Sequence, residues 1–123
     1  MKFKILLFLF LPILLFTCKK IDDSLLHGSW KVSKMLEKGK SVDKGAEKAI
    51  FIFLPNGQYS YEISYYKEAG NFHTKDGKLY TTDTLNSDRI EKVVRVVQLT
   101  SDSLKLEMNN SGVPQTWYCY KSK

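Results

Sequence analysis

The residues best suited to acid–base or metal chemistry in this chain are two histidines and a pair of adjacent aspartates. His27 and His73 lie far apart in the sequence, and Asp22 and Asp23 fall in a polar stretch that we expect to be a tether. A metal site needs several ligands at short, regular spacing, and a general acid or base needs a fixed position. The sequence also has no glycine-rich phosphate loop and no nucleophile elbow. We therefore expect a protein that is not an enzyme and holds no metal or cofactor.

A second group of residues suits the recognition of a ligand. Aromatic side chains alternate with polar ones in one segment and recur later in the chain, and we expect five of them to line an interior: Tyr59, Tyr61, Tyr65, Phe72 and Trp117. Such rings bind a lipid, a pigment or a sugar through apolar contact, while their hydroxyl and N–H groups need polar partners when buried. An ordinary β core has the same pattern, and both interpretations stay open.

Short β-strands are the elements that must position these residues. Apolar and polar residues alternate in short segments, and tight-turn signals such as Asn56-Gly57 and Asp76-Gly77 separate them. The segment 42–49 has room for one or two helical turns. The eight predicted strands cover residues 29–36, 49–54, 58–65, 70–74, 78–82, 90–99, 103–108 and 115–121. They predict an all-β fold, an eight-stranded antiparallel up-and-down meander that closes into a barrel and so removes its sheet edges. A β-sandwich is the alternative.

The first 17 residues predict an export signal. Lys2 and Lys4 form a basic start, and residues 5–16 are apolar apart from Pro12. This run is shorter than the roughly 20 residues needed to cross a membrane core, and its order is typical of a signal peptide. Its end, Leu15-Phe16-Thr17-Cys18, resembles the lipobox of bacterial lipoproteins, in which a leucine lies three positions before a cysteine.

The lipobox resemblance implies that residues 1–17 are removed and that Cys18 is lipidated. The partner of the protein would then be a membrane, held through the anchor at Cys18, and residues 18–24 would be the lipidated cysteine and a polar tether. The lysines and aspartates after Cys18 resemble surface-export signals of Bacteroidetes lipoproteins. We expect an outer-membrane lipoprotein of the cell envelope, with the side of the membrane left open. The remaining thiol, Cys119, is expected to be a small buried hydrophobe.

The basic residues of the mature chain are spread along it. The full chain has a formal net charge of +6, and a chain without Lys2 and Lys4 carries 17 basic and 13 acidic residues, a net charge of +4. Scattered lysines are typical of a solvated surface. We therefore expect no nucleic-acid partner.

The start of the first strand carries a family motif. Leu25-Leu26-His27-Gly28-Ser29-Trp30 resembles the opening Gly-x-Trp motif of the lipocalins, placed just after an apolar helical turn. The resemblance extends from Leu25 to Lys121, and the hairpins over residues 51–59 and 99–106 are similar to those of small lipocalin-like domains in Bacteroidetes lipoproteins.

This resemblance implies that residues 25–123 form a lipocalin-like barrel domain. It also implies that Gly28, Trp30 and Lys121 close one end of the barrel, with the lysine packed against the indole. Together with the aromatic face, it predicts a non-catalytic binder of a small apolar or amphipathic ligand. The alternative is a protein-interaction module of the envelope, an accessory subunit or a hydrolase inhibitor, whose contact surface would be the lysine-rich stretch from Lys31 to Lys48.

Overall fold

The computed structural model describes residues 20–42, 48–86 and 89–122, and within them the chain forms one short helix and nine strands. The helix is α1 (Asp23–Leu26). The strands are β1 (Gly28–Glu37), β2 (Lys40–Val42), β3 (Ile50–Phe53), β4 (Gln58–Ile63), β5 (Tyr66–Lys75), β6 (Lys78–Asp83), β7 (Glu91–Leu99), β8 (Ser103–Asn110) and β9 (Val113–Lys121). In this part of the chain no helix is long and apolar enough to cross a membrane. The predicted signal, Cys18 and most of the segment 42–49 lie outside the described residues.

The strands form one antiparallel sheet that closes on itself. Its order is β2-β1-β3-β4-β5-β6-β7-β8-β9, and β9 returns to pair with β1. The first residues of β1, Gly28–Lys31, pair with β3, and most of the strand from Trp30 onward pairs with β9. The closed part therefore has eight strands, β1 and β3 to β9, in meander order. The predicted barrel is confirmed, and the sandwich alternative is wrong because β9 pairs with β1 instead of leaving two open sheets.

Strand β2 and the full length of β5 are not predicted from the sequence. β2 leaves β1 through a turn at Lys38 and Gly39, whose φ angles are +53° and +81°. Two successive positive φ angles suit a hairpin turn, but lysine lacks the preference of asparagine for this conformation, so the turn signal is weak. The predicted strand over residues 58–65 ends at Ile63, because Ser64 and Tyr65 form the turn to β5.

The N-terminal helix belongs to the folded domain. Asp22, at its N-cap, accepts a hydrogen bond from the Ser24 N–H at 3.0 Å, and Asp23 accepts one from the Thr74 hydroxyl at 2.6 Å. These are the capping and tertiary contacts that fix a single helical turn. Residues 22–24, predicted as the end of the tether, thus start the domain ahead of Leu25.

The core follows the strand period of two. In β9 the buried residues Gln115, Trp117 and Cys119 alternate with more exposed neighbours, as expected when one face of a strand points into a barrel. Cys119 is 5% exposed and free, and burial raises the pKa of its thiol to about 12. It packs as a small hydrophobe, in keeping with the sequence prediction.

Candidate functional site

A cavity of about 350 Å³ occupies one half of the barrel. Its floor is made of fully buried apolar side chains, Phe53, Leu79 and Leu106. At its mouth Val93 is 47% exposed and Asn109 is also exposed. The cavity therefore runs from the middle of the barrel to one of its open ends. The other lining residues are Phe51, Tyr59, Tyr61, Glu68, Thr81, Lys92, Val94, Met108, Gln115 and Trp117.

The wall of the cavity is split between β7 and β8. Their ladder runs from the pair Leu99 and Leu104 to the pair Arg95 and Glu107 and stops there. Beyond it, Glu91–Val94 still pair with β6, and 108–110 still pair with β9. The two strands therefore separate near the mouth, and Val93 and Met108 line the gap.

Three aromatic rings form one side of the cavity. The ring centroids of Phe51 and Tyr61 are 4.7 Å apart, and that of Trp117 lies 5.9 Å from Phe51 and 6.1 Å from Tyr61. The Trp117 N–H donates to Gln115 Oε1 at 3.2 Å, and Gln115 Nε2 donates to Glu37 Oε2 at 2.8 Å. These bonds fix the indole edge. The rings present a rigid apolar face to the interior.

A buried carboxylate lies beside the rings, because Glu68 of β5 pairs directly with Tyr61 of β4. Glu68 is 4% exposed and accepts three hydrogen bonds: from Tyr59 Oη at 2.6 Å, from Tyr66 Oη at 3.0 Å and from Lys92 Nζ at 2.9 Å. A buried charge is costly unless it is paired and hydrogen-bonded. The two phenols and the ammonium supply those partners, so the wall carries a fixed, satisfied anion.

The tyrosines around Glu68 resist ionisation. Burial, and then the hydrogen bond and charge of Glu68, raise the pKa of Tyr59 well above its ordinary value. Burial and the charge of Glu68 raise the pKa of Tyr61 to about 12. Burial, the hydrogen bond to Glu68 and the charges of Glu68 and Asp83 raise the pKa of Tyr66 to about 12. A second phenolate beside the carboxylate is thus disfavoured.

Alkaline titration is expected to leave these three tyrosines neutral above the pH at which an unfolded tyrosine ionises. A raised folded-state pKa contributes stability that is complete below the unfolded value of about 10 and is lost as pH rises through the folded value. We expect Tyr59, Tyr61 and Tyr66 to stay neutral at about pH 10.5, measured as absorbance at 295 nm, and the barrel to lose stability between about pH 10 and 12. In concentrated guanidinium all seven tyrosines should titrate together. Seven phenolates in the folded protein below about pH 11 would contradict this assignment.

The structure brings together three of the five aromatic residues predicted to line an interior. Tyr59, Tyr61 and Trp117 line the cavity. Phe72 is buried, but it packs edge-on against Phe53 at 5.1 Å between centroids and is not among the lining residues. Tyr65 is 84% exposed in the turn after β4. The strand alternation ends at Ile63, and Tyr65 therefore does not belong to the candidate site.

The sequence reasoning missed the polar residues of the site. Glu68 lies on the same face of β5 as Gly70 and Phe72, because alternate residues of a strand point the same way. A predicted strand that began at Tyr66 would therefore have placed Glu68 inside the barrel. Lys92 lies on β7, a strand that was predicted from its valines. Charged residues are usually assigned to the outer face of a strand, which is why neither residue was selected.

The two histidines do not approach the cavity wall. His73 stacks on Tyr80, with ring centroids 4.7 Å apart, and both belong to the outer face of the barrel. His27 is the C-cap of α1, at the far end. Among residues 20–42, 48–86 and 89–122, no group of three or more His, Cys, Asp or Glu residues is placed to hold a metal ion.

The fold of this chain is similar to that of known proteins, whereas its sequence is not matched. No protein-family model and no curated protein matches the sequence. The fold is similar to the crystal structure of a lipocalin-like protein from Bacteroides uniformis ATCC 8492, with a TM-score of 0.63 and 16% identity over 80% of this chain and 99% of that one. The chain has the fold of a lipocalin-like barrel. An uncharacterized protein from Bacteroides eggerthii DSM 20697 is also similar, with a TM-score of 0.61 and 17% identity over 78% of this chain and 98% of that one.

The end of the lipocalin-like barrel opposite the mouth is closed by its first strand. Trp30 is fully buried, and its N–H donates to the Leu26 carbonyl of α1 at 2.8 Å. Lys121 Nζ lies 4.6 Å from the centroid of the Trp30 ring and donates to the His27 carbonyl at 2.7 Å. The Lys121 ammonium thus contacts both the Trp30 ring and the C-terminal end of α1.

Gly28 is required by this closed end of the lipocalin-like barrel. Its φ is +128°, and a Cβ at this position would lie 3.1 Å from Lys121 Nζ and 3.2 Å from Lys121 Cδ. Both the backbone conformation and the close lysine favour glycine. The three residues of the predicted closing motif therefore lie together, with the lysine in the position over the indole that the resemblance implies.

Proposed function

We propose that this protein is a non-catalytic binder of a small amphipathic ligand, held in the cavity at the mouth of the barrel. The observation that carries this proposal is the cavity itself. Its volume of about 350 Å³ lies in the usual range for ligand pockets and has room for about a dozen heavy atoms at liquid density. Aromatic rings with a polar cluster next to them suit a ligand with an apolar body and a polar end.

The uneven filling of the barrel supports ligand binding over a purely structural interior. At the closed end Trp30 and Leu26 are fully buried, as in a packed core. At the mouth the side chains leave space. Lys31, Lys38 and Lys40 are exposed, as the alternative role of protein-interaction module requires, but the open cavity favours ligand binding.

We further propose, from the sequence, that the protein is attached to the outer membrane through Cys18. The four residues between Cys18 and Asp23 span at most about 14 Å. The helix α1 contacts Thr74 and Lys121 at the ends of their strands, on the opposite side of the barrel from the mouth. Such an anchor would hold the closed end next to the membrane and direct the mouth away from it.

Ligand binding can be tested on the chain from residue 19 onward, which keeps every described element. Native mass spectrometry is expected to show extra mass that disappears on denaturation. The smaller neutral fluorophore 1-naphthylamine is expected to bind, and Val94→Phe, which fills the cavity wall, should weaken this binding at least about ten-fold.

The matched control is Val97→Phe. Val97 lies on the same strand, is 36% exposed and does not line the cavity, so the binding of the fluorophore should be unchanged. Equal binding by both variants would mean that the fluorophore does not use the cavity. No bound mass together with no fluorophore binding would reject the proposed function.

A further inference from the structure

The polar cluster of the cavity consists of one fixed group and one removable group. Glu68 is held by two phenols, and its side chain is 5% exposed. Lys92 reaches it from the mouth, and its side chain is 54% exposed. A lysine is a compact cation on a flexible four-carbon stem, so it can leave toward solvent, whereas the carboxylate cannot follow. The interior thus already binds an ammonium ion, supplied by its own chain.

The charge balance of the wall favours a cation over an anion. Glu68 and Lys92 are the charged residues among those that line the cavity. A second carboxylate, Asp83, is 7% exposed, and its negative charge also raises the pKa of Tyr59 and Tyr66. An anionic ligand would add a second negative charge beside Glu68 and would have to share the Lys92 ammonium with it. A cationic ligand would replace Lys92 and leave the pairing intact.

The aromatic rings of the cavity also favour a cationic ligand over an anionic one. The faces of Phe51, Tyr61 and Trp117 carry partial negative charge and attract cations when water is excluded. Their cluster faces the part of the interior into which Glu68 points, since all four residues line one cavity. A carboxylate beside aromatic rings offers the acceptors that an organic ammonium group needs.

We propose that the cavity takes an organic ammonium ion with a short apolar body, whose nitrogen replaces the Lys92 ammonium at Glu68. This inference rests on the proposed ligand-binding function and names the chemical class of the ligand. Lys92 acts as a built-in competitor: it satisfies Glu68 in the empty cavity and swings outward when the ligand enters.

The first test compares three probes that share an eight-carbon chain and differ in the head group. Octylammonium, octanoate and octanol are titrated into the unmodified protein at pH 7 by isothermal titration calorimetry. Octylammonium is expected to bind at least about ten times more tightly than octanoate, since the ammonium keeps Glu68 paired whereas the carboxylate brings a second negative charge next to it. Octanoate binding as tightly as octylammonium, or more so, overturns the inference. If none of the three binds, the proposed function fails instead.

Substitution of the competitor gives the second test. Lys92→Met is expected to raise the affinity for octylammonium about ten-fold, because the ligand no longer has to displace an ammonium from Glu68. The control is Lys67→Met, which removes the same charge from an exposed position next to Glu68 in sequence and should change the affinity less than about two-fold. An affinity that falls or stays constant in the Lys92 variant overturns the inference.

Removing the Glu68 carboxylate should abolish the preference of the cavity for octylammonium over the uncharged probe. In Glu68→Gln, octylammonium is expected to bind no more tightly than octanol. A preference for the ammonium probe that persists in this variant would show that another group recognises it. The comparison of probes on the unmodified protein stands even if a variant fails to fold.

Discussion

Replacing Gly70 by alanine is expected to unfold the barrel under conditions in which the original protein is folded. An alanine Cβ at this position would lie 1.9 Å from the Thr82 carbonyl oxygen and 2.9 Å from the Thr84 nitrogen. Both are backbone atoms of the adjoining strand β6 and the residue after it, so neither can rotate away as a side chain would. The ladder between β5 and β6 must open, at a cost of more than about 3 kcal/mol. Urea unfolding followed by circular dichroism measures this loss.

Gly112→Asn is the control for the Gly70 variant. Gly112 has a φ of +88° and no atom within 4 Å of its added Cβ, and asparagine tolerates positive φ better than other residues with side chains. We expect a loss of less than about 1 kcal/mol. If the two variants have the same free energy of unfolding, the close approach of β6 to Gly70 is not present in solution.

Replacing Trp30 by alanine is expected to cost about 3 to 5 kcal/mol, the range for a large aromatic side chain removed from a packed core. Trp30 is fully buried, supports Leu26 through a hydrogen bond and lies under Lys121. Its loss leaves an empty space at the closed end and removes the surface on which α1 packs. The measurement is again the free energy of unfolding in urea.

Trp30→Phe separates the hydrogen bond from the packing. Phenylalanine keeps an aromatic ring under Lys121 but has no N–H for the Leu26 carbonyl. Part of the indole volume and one buried hydrogen bond are lost, so we expect an intermediate cost of about 1 to 3 kcal/mol. An alanine variant no less stable than the phenylalanine variant would contradict the role of Trp30 in closing the barrel.

The strands of the barrel could be predicted because the patterns that specify them involve residues close together in the sequence. Alternation in β4, β8 and β9, and tight turns such as Asn56-Gly57, specify strands and their connections without reference to distant residues. Eight such strands in meander order favour closure into a barrel, which the pairing of β9 with β1 decides. β2 escaped prediction because its turn uses Lys38, which adopts a positive φ without a sequence signature for it.

The candidate site was only half predicted because its polar part depends on long-range pairing. Tyr59, Tyr61 and Trp117 follow from alternation, but Glu68 and Lys92 meet only because β6 lies between β5 and β7 and sets their register. Nothing in the residues near either one indicates that contact. The space at the mouth has the same origin, since it depends on the separation of β7 from β8.

That separation also has a consequence for self-association. Closing a sheet into a barrel removes the strand edges that invite another chain to pair with them, but Glu91–Val94 and 108–110 keep a short stretch of such edge at the mouth. Its valines, Val93 and Val94, are flanked by Lys92 and Arg95, and charges at an edge discourage β-sheet extension between molecules. Lys92, which reaches into the cavity, therefore also places a charge at this exposed edge and disfavours pairing of two barrels through it.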